Sequence, residues 1–130
     1  MLFRSRVSTA RRFIKRMNLA DVDALAAMMH DDFVFVDSRL TRIEGRENCI
    51  EFFRRFVALD TGFAITIESA SRNGDDVLIK GATTARDPVL VAQCLWQCQV
   101  IDGKIAYWQS FRSDQPPALA RILASDLVAN

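Results

Sequence analysis

The sequence predicts an α+β domain, with helices gathered on one face of a largely antiparallel sheet. Three observations carry this reading. Helical periodicity dominates the first sixty residues and is interrupted by one strand. From Phe63 the apolar period switches from 3.6 to 2. Two glycine-containing turns, at Asn73-Gly74-Asp75 and Asp102-Gly103, then divide the second half into hairpins. No strand–helix–strand alternation occurs, so an all-parallel sheet is not expected.

In chain order, Val7, Ala10, Phe13, Ile14 and Met17 mark the apolar face of a first helix. A second helix is expected over Ala20 to His30, with Val22, Leu25, Ala26 and Met29 on its buried face and Asn18 or Asp21 as its cap. His30 then stands at a helix C-terminus, where the dipole favours a cation. Phe33-Val34-Phe35-Val36-Asp37 is β-branched and aromatic and reads as a strand. Phe33, Phe35 and Asp37 share one side of it. Ser38 to Glu44 reads as a polar connection, and a third helix follows over about Arg46 to Leu59, with Cys49, Phe52, Phe53 and Phe56 as its stripe. Strands are expected over Phe63 to Ser71, Val77 to Ala85, Val89 to Ile101 and Lys104 to Arg112. Pro116-Pro117 opens a last helix, with Leu119, Ile122, Leu123 and Leu127 on its apolar side.

At 130 residues the chain is one domain, with residues 1–6 as a loose start and 115–130 as a C-terminal helix segment. It is half hydrophobic and one quarter charged, so it has enough apolar surface for a core without disulfides or metal. Cys49, Cys94 and Cys98 are odd in number and do not form a metal-ligand spacing; they read as packing residues, reduced in a cytoplasmic protein. The 17 basic and 16 acidic residues nearly balance, which gives no support for nucleic-acid binding. No apolar run reaches membrane-spanning length. The first 16 residues hold Arg4, Arg6, Arg11, Arg12, Lys15 and Arg16 and no acid. They are either the solvated face of the first helix or a presequence. No glycine-rich phosphate loop, Ser-x-x-Lys or Gly-x-Ser-x-Gly occurs, and neither cofactor nor metal is implied.

The long strands show the clearest alternation. Ala92, Cys94, Trp96, Cys98 and Val100 fall on an apolar face that points toward the helices. Val91, Gln93, Leu95, Gln97 and Gln99 fall opposite. In the last strand Ala106, Trp108, Ser110 and Arg112 share a face, opposite Ile105, Tyr107, Gln109 and Phe111. An outer face of aromatics and amides suits a protein–protein interface. A homodimer through Gln97, Gln99, Tyr107, Gln109 and Phe111 is therefore expected, unless loops or the last helix cover them.

The helix pair, the stretch Asp31-Asp32-Phe33-Val34-Phe35-Val36-Asp37, the helix start Gly45-Arg46-Glu47-Asn48-Cys49-Ile50, and Asp102-Gly103-Lys104-Ile105 before an aromatic strand resemble the nuclear transport factor two-like superfamily. They are most similar to its ketosteroid isomerase-like and SnoaL-like branches, over about Val7 to Asp114. The resemblance implies a strongly curved antiparallel or mixed sheet closed against the N-terminal helices into a cone with an internal pocket. It also implies a small, usually apolar ligand. Members include isomerases, dehydratases, cyclases, epoxide hydrolases and non-catalytic adaptors, so fold alone selects no function.

Carried over residue by residue, Asp37 matches the general base of the isomerases. Phe13 stands where they carry a tyrosine oxyanion donor, and Trp96 where they carry a protonated aspartate. Loss of one such donor costs about 2.7–4 kcal/mol of transition-state stabilisation, which disfavours ketosteroid isomerisation. Asp37 is the candidate acid/base, or else a strand-end carboxylate that caps a loop or pairs with Arg39. Phe13, Met17, Phe53, Phe56, Trp96 and Trp108 are the candidate pocket wall, or else they fill the cone. Arg112 would hold a ligand carboxylate, pair with Asp37, or lie in solvent. The open readings are a cofactor-free isomerase, dehydratase, cyclase or hydrolase; a binder of small hydrophobic molecules; and a dimerisation or adaptor domain.

Overall fold

The computed structural model describes residues 5–129. Four helices and six strands follow in the order α1 (Arg6–Asn18), α2 (Val22–Met28), β1 (Met29–Val36), β2 (Arg42–Glu44), α3 (Arg46–Ala58), β3 (Ala64–Asn73), β4 (Asp76–Thr84), β5 (Ala92–Ile101), β6 (Lys104–Phe111) and α4 (Leu119–Ala124). The strands form one sheet in the order β2-β1-β6-β5-β4-β3. All neighbours are antiparallel except β1 and β6, which run parallel. The sheet is curved but is not closed by hydrogen bonds. The helices pack on its concave side, as the α+β reading requires.

Each helix forms for a local reason. The Ser5 side chain accepts the Ser8 N–H and caps α1, while Lys15 and Arg16 lie in its last turn, where the dipole favours cations. The loose start expected over residues 1–6 lies outside the described residues up to Arg4; Arg6 already opens the helix. Asp21 caps α2 through the Ala24 N–H. Thr9, Ala10, Phe13 and Ile14 of α1 and Cys49, Ile50, Phe52 and Phe53 of α3 are buried, at the spacing that periodicity predicts.

Curvature comes from β-bulges, where two residues on one strand face one on the next and bend the ladder. One lies in β3 between Ile67 and Ser69, opposite Gly81 and Lys80. Another lies in β6, where Gln99 pairs with Tyr107 but Val100 pairs with Ile105. The second bulge corrects the simple alternation of the last strand. Ile105 was expected on the outer face, yet it is fully buried in the core.

Other expectations are corrected as well. α2 stops at Met28, so His30 lies in strand β1 and not at a helix C-terminus; Met29 instead pairs with Ile105 and is buried. The Ser38–Glu44 connection contains β2, which pairs Ile43 with Phe35 and buries Ile43. Val89 and Leu90 lie in a single 3₁₀ turn ahead of β5. α4 begins at Leu119, after the prolines. Ile122 is solvent-exposed, and Ala120 and Ala124 are the buried positions, because the short helix approaches α3 closely on its small-residue face. Arg55 of α3 fixes this segment by donating to the Leu123 carbonyl and to Asp126. Among the described residues no helix is long and apolar enough to cross a membrane.

Candidate functional site

Between α3, the concave face of the sheet and the C-terminal segment lies a cavity of about 340 Å³. Its wall is mostly carbon. Phe35 of β1, Phe52, Phe53 and Phe56 of α3, and Trp96 and Trp108 of the central strands border it, together with Met17, Leu25 and Ile65. The aromatic rings brace one another: the Phe35 and Phe52 centroids are 4.6 Å apart and those of Phe35 and Phe53 are 5.7 Å apart. Pro116, Pro117 and Leu119 bring the C-terminal segment to the wall.

Phe13 does not line this cavity. It is wholly buried beneath it, its ring 6.1 Å from Phe33, 6.4 Å from Phe53 and 5.4 Å from Trp108. Its position on the buried stripe of α1 packs it against Phe53 and Trp108, which border the space, so its contact is with the wall and not with the space. Met17, Phe53, Phe56, Trp96, Trp108, Arg112 and Asp37 all border the space. The cone is not filled by its tryptophans.

Asp37 directly follows β1 and is 1% exposed. Its Oδ1 accepts the backbone N–H groups of Arg39 and Thr41, each at 2.9 Å, and its Oδ2 accepts that of Ala120 at 3.0 Å. The Asp37 N–H and carbonyl are also paired, with the Thr41 carbonyl and the Leu40 N–H. The carboxylate therefore ties the β1–β2 loop to the first turn of α4. All three of its hydrogen-bond donors are backbone N–H groups. The loop it holds includes Leu40 at φ +63, a left-handed conformation that a leucine adopts only under constraint. Arg39 does not pair with Asp37 through its side chain; its guanidinium donates to the Pro116 carbonyl.

Arg112 donates through Nε and Nη2 to both carboxylate oxygens of Asp114, at 2.9 and 2.7 Å, and through Nη1 to the Val89 carbonyl. The bidentate pair holds the Asp114 carboxyl below its usual range and Arg112 above its own. The charge of Arg112 is thus matched within the chain, and it does not reach Asp37. Two further polar side chains on the wall are also turned to backbone. Asn18 pairs with both the N–H and the carbonyl of Ile65, and the Thr83 hydroxyl donates to Leu90 and accepts from Ala92.

The three thiols are free and buried. Desolvation pushes Cys49 and Cys98 up to about 12, and Cys94, which borders the cavity, also rises. Among the described residues no group of histidine, cysteine or carboxylate side chains is arranged to hold a metal ion. Sequence reasoning missed Phe35, Ser38, Phe52, Cys94 and Ser110 as wall residues. The alternation of β6 places Ser110 beside Trp108, but nothing local marks Ser38.

A family model described as the SnoaL-like domain matches residues 10–108. The chain belongs to the SnoaL-like domain family. It is thereby a member of the nuclear transport factor two-like superfamily, as its fold neighbours also indicate. An epoxide hydrolase of the LEH-like type from M. tuberculosis superposes on this SnoaL-like domain with a TM-score of 0.73 at 23% identity, covering 83% of this chain and 78% of that one. The epoxide hydrolase/cyclase-like enzyme SalBIII, with a role in pyran ring formation in polyether salinomycin, gives 0.72 at 20% identity, over 83% and 90%. An NTF2-like protein of unknown function from Cytophaga hutchinsonii gives 0.71 at 14% identity, over 87% and 95%. At these identities the likeness is one of fold. No curated protein matches the chain.

Proposed function

We propose that this SnoaL-like domain binds a small, apolar, uncharged molecule in the cone. One observation carries the reading: the cavity of about 340 Å³ has a mostly aromatic and aliphatic wall whose charged members, Asp37, Asp60 and Arg112, are already matched by partners within the chain, Asp60 by Arg86 at 3.6 Å. Such a wall rewards removal of apolar surface from water and leaves no unmatched charge for an ionic ligand. The chain has two tryptophans, Trp96 and Trp108, and both border the space. Titration with 2-ethylnaphthalene should therefore give a saturable change in intrinsic fluorescence. Cys94→Phe, which puts a ring into the space, should weaken that binding at least tenfold while leaving the circular dichroism spectrum unchanged. A linear, non-saturable response in the parent protein would sink the reading.

A catalytic reading is supported by the position of Asp37 on the cavity wall and by the enzymes among the fold neighbours. Asp37 would then act as acid or base in a cofactor-free isomerisation, dehydration, cyclisation or hydrolysis. Its three backbone donors favour the binding role over this one.

We also propose that the outer sheet face packs against a second copy. Leu95 pairs across strands with Phe111 beside exposed Leu78, next to a row of Gln97 and Gln109. Amides both donate and accept, so such a face is complementary to itself. Gln109 is less open than the sequence suggests, because it accepts the Tyr107 hydroxyl and is buried within the chain. Sedimentation equilibrium at tens of micromolar should give twice the chain mass, and Leu95→Glu should halve it. A monomer for the parent chain would refute the pairing.

A further inference from the structure

The Ser38 and Ser110 hydroxyls lie 2.8 Å apart on the cavity wall, one on the loop after β1 and the other near the end of β6. They are hydrogen-bonded to each other and to no other group among the described residues. Either oxygen can be the donor. Whichever donates, the proton of the other hydroxyl remains unspent, and lone pairs remain on both. This sets the pair apart from its polar neighbours: Asp37 is held by three backbone N–H groups, the Thr83 hydroxyl by Leu90 and Ala92, and Arg112 by Asp114 and Val89. Both serines are only partly exposed, so an unspent donor here faces an enclosed and mostly apolar space.

The loop position of Ser38 is itself fixed. Asp37, the preceding residue, clamps the loop to Ala120, and the Asp37 N–H pairs with the Thr41 carbonyl. Ser110 is fixed by the ladder, opposite Trp96. The two hydroxyls thus reach the cavity from rigid supports, as a recognition group must.

We propose that the Ser38–Ser110 pair is the polar anchor of the site, donating one hydrogen bond to a neutral oxygen, a carbonyl or an ether, on an otherwise hydrocarbon ligand. The inference rests on the binding role proposed above and adds to it the functional group that the ligand carries. A carboxylate ligand is disfavoured, because no cation on the wall is free of an internal partner to meet it. The pair is redundant by construction: removal of one hydroxyl leaves the other with its proton directed at the same space.

A matched pair of probes separates the two claims. 2-Ethylnaphthalene reports the apolar space alone, and 2-acetylnaphthalene has nearly the same shape with one carbonyl. Both affinities are measured by quenching of Trp96 and Trp108 in the parent chain and in variants. The ratio of ketone to hydrocarbon affinity should fall about tenfold in Ser38→Ala/Ser110→Ala, the size of one well-made hydrogen bond. In either single variant it should change by no more than about twofold. The fall should come from a loss of ketone affinity itself, while hydrocarbon affinity holds or rises as the wall becomes more apolar. If both probes bind and the ratio is the same in the double variant, the anchor is refuted and the apolar site stands. If neither probe binds the parent chain, the binding role fails and the anchor with it. Should the double alanine variant not fold, Ser38→Ala/Ser110→Cys keeps the volume with only a weak thiol donor, and the same loss is expected.

Discussion

Gly81→Ala should cost this domain most of its stability. The glycine lies in β4, opposite Ile67 at the bulge of β3. A Cβ there would sit 2.1 Å from the Thr66 carbonyl oxygen, 3.1 Å from its carbon and 3.3 Å from the Ile67 Cα. All three are backbone atoms, so no side-chain rotation relieves the clash. β3 would have to move away by an ångström or more, just where the sheet bends. Overpacking of a well-packed core costs about 1–3 kcal/mol, and a contact against backbone belongs at or above the top of that range. Urea denaturation should show the midpoint falling steeply or the variant failing to fold. β3 also supplies Ala64 and Ile65 to the cavity wall, so any folded fraction should bind hydrocarbon probes more weakly. A midpoint within error of the parent would mean that β3 shifts freely and that the bend is not fixed at this contact.

Asp37→Ala should be nearly as damaging, for a different reason. It strips the partners from the N–H groups of Arg39, Thr41 and Ala120, and the last two bonds are buried. An unsatisfied buried donor costs about 1–3 kcal/mol, so the loss should be about 3–5 kcal/mol, with Tm falling on the order of 10–15 °C. Asp37→Asn keeps the shape but turns an amide NH₂ toward at least one backbone N–H. A loss of about 1–3 kcal/mol is expected for it. The direction of this change discriminates between roles. A catalytic carboxylate is commonly held at a cost to the fold, so its removal leaves stability unchanged or raises it. A carboxylate that ties two segments together lowers stability when removed. Thermal unfolding of Asp37→Asn that matches or exceeds the parent would overturn the tying role and favour the acid/base reading.

The legible parts of this fold are those that depend on near neighbours. Asp102 and Gly103, at φ +52 and +73, make the turn that their side chains suit, with Ile101 paired to Lys104. Cys94, Trp96, Cys98 and Val100 are buried as their alternation requires. The first hairpin turns within the expected Asn73-Gly74-Asp75, with Gly74 and Asp75 at its tip because Asn73 still pairs with Asp76. What was not legible depends on distant partners. Ile105 turns inward because a bulge inserts one residue, and alternation has no mark for a bulge. Asp37 has the residue type and strand-end position of a general base. Its third donor comes from Ala120, 83 positions away, and no local pattern reports that approach. Ser38 and Ser110 are 72 positions apart and meet only because β1 lies beside β6.

That parallel neighbour relation also governs the order in which the molecule can assemble. β1 is made early, and its inner neighbour is the last of the six strands: Val34 waits for Tyr107 and Val36 for Gln109. The β3–β4 and β4–β5 hairpins need only nearby chain and can close as they are synthesised. β1, with its Phe33, Phe35 and Val36, has only the three-residue β2 beside it until β6 arrives. Closing so long a loop carries an entropic cost that local hairpins do not, and it slows folding. On a ribosome, the aromatic strand that forms one wall of the cone stays without its main partner until residue 109 has left the tunnel. Completion of the sheet therefore waits until nearly all of this domain has been made, and the unpaired β1 is the segment that a growing chain most needs to keep from pairing elsewhere.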